Sequence, residues 1–171
     1  MLEIPIPVTL RHRPTIGGLV VPWITMQMPD GRHRFGAIDA ERLLAALTDR
    51  ICQICGNAMS PPFVFAMRDV DLSRLISPEP AMHPECARYS VTACPMLAGT
   101  MTRYRTQPPD APATTGDPAG ARPGHAAQIW RLLWTSGYRR IWDPRTHTPA
   151  AQILIEQLHR VQQIKPPTTD R

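Results

Sequence analysis

Cys52-Gln53-Ile54-Cys55-Gly56 and His83-Pro84-Glu85-Cys86 decide how this chain is read. Each is a ligand pair, spaced C-x-x-C or H-x-x-C, and two such pairs suit a tetrahedral zinc site. Gly56 permits the tight turn in which backbone amides face the sulfurs. His83 and Cys86, three apart on the first turn of a helix, share one face. A knuckle, then β structure, then a helix bearing the last ligands predicts an α+β chain. Its centre would be a small treble-clef-like domain, with a structural Zn2+ held by Cys52, Cys55, His83 and Cys86. Metal binding would then supply folding energy that a small core lacks. Cys94 is the alternative fourth ligand if His83 is only a surface histidine. It lies roughly 12 Å beyond Cys86 at ~1.5 Å per helical residue, so it reads as a small packing residue.

Upstream of the first cysteine, Asp39 can cap a helix from Ala40 to about Arg50. Leu43, Leu44, Leu47 and Ile51 fall on one face of it. Before that, Leu19 to Met26 and His33 to Ile38 read as two strands of a hairpin, turned at Asp30-Gly31, with Pro22 demoting the first to an edge or bulged strand. Residues 1–18, with prolines at 5, 7 and 14 and the pair Gly17-Gly18, read as an extended arm. Residues 19–105 form the expected zinc domain.

Between the ligand pairs, Pro62 to Met67 reads as a strand, and Asp69 to Ile76 as a short helix or a strand with a turn. Residues 106–125 are rich in Pro, Gly, Ala and Thr and predict a flexible linker. The C-terminal segment, 126–171, opens with Ile129 to Trp134, apolar but ambiguous between helix and strand. Thr148-Pro149 has the form of a helix cap and first turn. An amphipathic helix from Pro149 to about Ile164 would carry Leu154, Leu158 and Val161 on one stripe.

Composition narrows the function classes. The 171 residues carry a net charge of +5, and all but one of the 19 basic residues are arginine. No apolar run approaches the ~18 residues of a membrane helix. Prolines at 5 and 7 and charges at 11 and 13 interrupt any secretory signal near Met1. A cytoplasmic location is expected, where four cysteines suit a metal better than disulfides.

His83-Pro84-Glu85 also spells the H-x-E of zinc deaminases, with Glu85 as the acid–base. The order is reversed, however, Ile51 stands where that motif needs proline, and Cys86 would close the position a catalytic water requires. A nuclease of the His-Asn-His type would need a histidine between Cys55 and His83, and none is there.

Arg50-Ile51-Cys52-Gln53-Ile54-Cys55-Gly56, Met82-His83-Pro84-Glu85-Cys86-Ala87-Arg88-Tyr89-Ser90 and Ala93-Cys94-Pro95-Met96-Leu97, with Pro22-Trp23, resemble a group of uncharacterised actinobacterial proteins that also occur in phages and mobile elements. Met96 stands where phenylalanine is usual in that group. The resemblance implies zinc binding and a mobile-element setting, and brings no reaction with it.

The residues therefore predict a non-enzymatic zinc-stabilised binding or adaptor protein. Its partner would be a protein, or a second copy, engaged through the C-terminal helix. Nucleic acid is the alternative partner. Arg131, Arg139, Arg140 and Arg145 make the most basic window, interleaved with Trp130, Trp134, Tyr138 and Trp142, which could stack on bases.

Overall fold

The computed structural model describes residues 4–101, 103 and 129–164. The linker expected over 106–125 and the two chain ends lie outside the described residues. The chain is of mixed α and β. In order it runs β1 (Thr15–Ile16), β2 (Leu19–Val20), β3 (Thr25–Gln27), β4 (His33–Ile38), α1 (Ala40–Asp49), β5 (Phe63–Arg68), β6 (Ile76–Ser77), α2 (Pro84–Ala93), β7 (Trp130–Thr135), β8 (Tyr138–Asp143), β9 (Thr148–Ile153) and β10 (Leu158–Gln163). These strands make two hairpins, β1-β2 and β3-β4, and two three-stranded antiparallel sheets, β10-β7-β5 and β6-β9-β8.

The β5–β7 pair is the divider of the molecule. Successive strand residues face opposite ways, and here both faces are covered. Val64, Ala66, Trp130 and Leu132 enter a core with Cys52, Cys55, Cys86, Ala87 and Tyr89. Phe63, Phe65, Met67 and Leu133 enter a second core with Leu43 and Leu47 of α1, Tyr138, Ala151 and Ile153. A strand buried on both sides shows a continuous apolar run instead of alternation. That is why Trp130 to Trp134 gave no period in the sequence. Tyr138 sits edge-on to Phe63 and Phe65, with ring centroids 5.4 and 5.1 Å away. Burial pushes its hydroxyl pKa up to about 12, against the opposing pull of Arg50.

α1 forms as its sequence dictates. Asp39 Oδ1 accepts the Arg42 amide at 3.0 Å, and Leu43, Ala46 and Leu47 face inward. β5 and α2 also fall where the sequence places them.

The expected C-terminal amphipathic helix does not exist. Its residues form β9, a single 3-10 turn (Ile155–Gln157) and β10. Local signals favoured a helix, but β-rich β7 and β8 offer ladders, and tertiary pairing overrides propensity. Pro149, read as a helix start, lies opposite Trp142 in the ladder. β6 reaches only Ala151 and Gln152, so the outer side of β9 is unpaired at Pro149, where proline is tolerated. Leu158 and Val161, one half-buried and one exposed, form no buried stripe. The expectation of a partner docking on that helix loses its element. The segment instead runs through the middle of the fold, since β7 pairs with β5 along six residues.

The N-terminal stretch differs from the expected arm as well. Leu10 is fully buried in the first core, with Ile4 and Ile6 packed against it. β1 and β2 form their own hairpin across Gly17-Gly18, so Leu19 does not join the β3-β4 hairpin. Arg74 ties the two halves of the chain. Its guanidinium grips the buried Asp143 carboxylate of β8 through two bonds, 3.1 and 2.5 Å.

Candidate metal centre

The first ligand pair sits on a knuckle built by backbone hydrogen bonds. α1 ends at Arg50 in the left-handed conformation, which turns the chain into Cys52. Ile51 and Ala58 then pair as an antiparallel bridge. Within it the Cys52 amide donates to Asn57 O at 2.8 Å and the Gly56 amide to Cys52 O at 2.9 Å. Closing so short a loop demands φ +80 at Gly56. The knuckle is fixed from outside by Trp23 and Ile24, whose amides donate to Ile54 O and Gln53 O at 2.9 and 3.0 Å.

The second pair is brought in by β5. Val64 and Met82 exchange amide–carbonyl bonds of 3.0 and 2.8 Å, which sets His83 beside the knuckle. Gln53 holds the same loop, its side chain donating to Pro80 O at 2.6 Å. His83 is the N-cap of α2, Pro84 takes the first helical position, and Cys86 lies on the first turn. Pro84 is suited there because its missing N–H would be unpaired in any case.

The ligand atoms of Cys52, Cys55, His83 and Cys86 all lie within 4.8 Å of one another, a group that could hold a metal ion. All three cysteines are buried and His83 half-buried. His83 Nδ1 is 3.3 Å from Cys55 Sγ, while its Nε2 is 3.2 Å from Ala58 O. A carbonyl only accepts, so Nε2 carries the proton and the Nδ1 lone pair faces the thiols. Such an outer partner fixes the tautomer and ring orientation of a metal-binding histidine. The amides of Asn57 and His83 approach Cys55 Sγ and Cys52 Sγ at 3.5 Å and favour thiolate.

Three thiols this close cannot all ionise alone. Hydrogen bonds from Cys52 and then Cys86 pull Cys55 down to about 2. Cys52 is raised, chiefly by its bond to Cys55, and Cys86 is raised by its bonds to Cys52 and then Cys55. A dication held there would relieve the conflict by binding all three as thiolates. Three thiolates around a dication would leave a net negative charge, which the nearby Arg13 would offset. Arg13 is held low by burial and then by neighbouring Arg42, against the attraction of Cys55.

Of the other residues singled out in the sequence, Cys94 is half-buried at the C-terminus of α2, where burial raises its thiol, and it stands outside the ligand group. Glu85 is exposed and also outside the group. The four arginines have different surroundings. Arg131 pairs with Asp69, whereas Arg139, Arg140 and Arg145 are exposed. Sequence reasoning missed His12, whose Nε2 lies 2.9 Å from Cys55 O and braces the knuckle. Its neighbours gave no spacing signal, because the contact spans the whole hairpin region. Comparison with family models, with curated proteins and with solved structures finds no match.

Proposed function

We propose that the chain is a non-enzymatic binding module whose fold is held by a structural Zn2+ on Cys52, Cys55, His83 and Cys86. The observation that carries it is the four-ligand group, buried between a knuckle and a helix N-terminus. Tetrahedral zinc takes thiolates at ~2.3 Å and imidazole at ~2.0 Å, so ligand atoms within 4.8 Å of one another need only small inward shifts. The order of knuckle, strand and ligand-bearing helix supports a treble-clef-like reading of this region. A Cys3His set fills the coordination shell and leaves no position for an activated water. Exposed Glu85, outside the group, has no metal-bound water to act on. The motif resemblance to actinobacterial and phage proteins supports a mobile-element setting.

Cobalt substitution tests the reading. The expected result is one metal per chain, with an intense tetrahedral thiolate spectrum that added azide leaves unchanged. An exchangeable water ligand, together with turnover abolished in Glu85→Gln, would replace the binding module with an enzyme.

A further inference from the structure

The four tryptophans have different fates. Trp130 is buried, Trp23 and Trp134 pack against the cores, and Trp142 is 62% exposed. Trp142 lies on β8, the outer strand of the β6-β9-β8 sheet. Residues two apart on a strand share a face, so Arg140 lies beside it on the same face, with Tyr138 beyond. Arg139 is on the opposite face, and Arg145 follows in the β8-β9 turn. Arg139, Arg140 and Arg145 are exposed and form no ion pair among the described residues. Asp143, the nearest acid along the strand, spends its carboxylate on Arg74 through two bonds and is also attracted by Arg145 without an ion-pair contact. Other arginines of this half are engaged: Arg131 with Asp69, and Arg160 over the Trp134 ring.

An exposed indole beside the unpaired Arg140, with Arg139 on the other face of the same edge strand and Arg145 in the turn that follows, asks for a partner that is both anionic and flat-faced. An acidic peptide would satisfy the arginines and leave the indole unused. An apolar peptide would do the reverse. A duplex hides its base faces in the stack. Single-stranded nucleic acid repeats a phosphate and an exposed base with every residue, and aromatic stacking beside a basic track is how such strands are held without sequence preference. We propose that the β8 edge, through Trp142, Arg139, Arg140 and Arg145, binds single-stranded nucleic acid. The proposal rests on reading the chain as a binding module and names its partner class.

The test uses the full, metal-loaded chain and a fluorescein-labelled oligothymidylate, followed by anisotropy, with metal content measured on the same sample. Binding should weaken with salt, with a slope near about −2 in log–log form for three phosphate contacts at ~0.7 each. Trp142→Ala should weaken it about tenfold, within the range found for loss of one stacked base. The Arg139→Ala, Arg140→Ala pair should reduce the salt slope by about 1.4. All three substitutions are at exposed positions, and unchanged melting would show the variants folded. No binding by a zinc-loaded chain overturns this proposal and leaves the zinc reading standing. Binding by a chain that carries no metal does the opposite. Equal binding in the variants, equal affinity for a duplex, or preference for a polyglutamate competitor would each overturn the assignment of this edge to single strands.

Discussion

Substituting Gly56 by alanine isolates the tightest packing in the knuckle. A Cβ built there would lie 2.5 Å from Trp23 Cδ1 and 2.7 Å from Trp23 Cγ. The indole cannot easily retreat. Its backbone amide is bonded to Ile54 O, the Arg42 guanidinium donates to Trp23 O at 2.6 Å, and the same guanidinium lies 5.7 Å from the ring centroid. Two costs therefore add: about 1–2 kcal/mol for an L-residue at positive φ, and about 1–3 kcal/mol for overpacking. Gly31 provides the control. It has nearly the same φ, +82, and a Cβ there meets nothing within 4 Å. Gly31→Ala should cost only the first part. For a chain of this length, ~1 kcal/mol shifts Tm by about 2–4 °C. Gly56→Ala should lower Tm by about 10 °C and Gly31→Ala by about 4 °C, read by circular dichroism on metal-loaded protein. In a Trp23→Ala background the gap should close. Equal melting of the two variants beside native Trp23 would refute the steric argument.

Cys86→Ser should abolish stoichiometric metal and destabilise α2 and the knuckle together, since metal affinity is folding energy in such sites; retained metal and an unchanged melt would mean the ligand set is wrong. Arg74→Met should cost about 3 kcal/mol, because it leaves Asp143, only 5% exposed, without its counter-ion. Arg131→Met should cost under about 1 kcal/mol, since its pair with Asp69 is partly solvated. The Arg74 pair also sets a pH dependence: hydrogen bonds from Arg74, aided by the Arg145 amide, hold Asp143 below its ordinary value. Its stabilisation is complete above the unfolded value near ~3.9 and is lost as pH falls through the lower folded value. Asp143→Asn should flatten that acid limb in urea melts taken from pH 5 downward, and an unaltered limb would remove the pair from the account.

The ligand group was legible because its signal is local. C-x-x-C-G and H-P-x-C each build their own turn, and Asp39 caps its own helix. What stayed hidden depended on partners remote in sequence. Thr148-Pro149 is a good helix start in isolation, and only the presence of β8 opposite makes it a strand. Ile129 to Trp134 had no period because cores lie on both sides of it. The burial of Leu10 and the brace from His12 to Cys55 O come from an N-terminal stretch whose prolines suggested only extension. Trp142 looked like its three sister tryptophans until their packing separated it from them.

β5 makes the two cores a single mechanical unit. Val64 and Ala66 face the metal-side core while Phe63, Phe65 and Met67 face the other, and the Val64–Met82 pairing stands next to His83 itself. If the proposed metal is held there, its release would free three clustered thiols and remove a restraint on His83, so the Met82 bridge would lose its anchor. β5 cannot loosen toward one core and stay packed on the other, because neighbouring residues of the same strand serve both. Chelation should therefore raise amide exchange in β5 and β7 in step with the knuckle, and should expose Tyr138, which packs on Phe63 and Phe65. The measurement is hydrogen exchange by mass spectrometry before and after chelator. Fast exchange confined to residues 51–58, with Trp130 to Thr135 still protected, would show that the metal stabilises the knuckle alone and that the two cores fold independently of it.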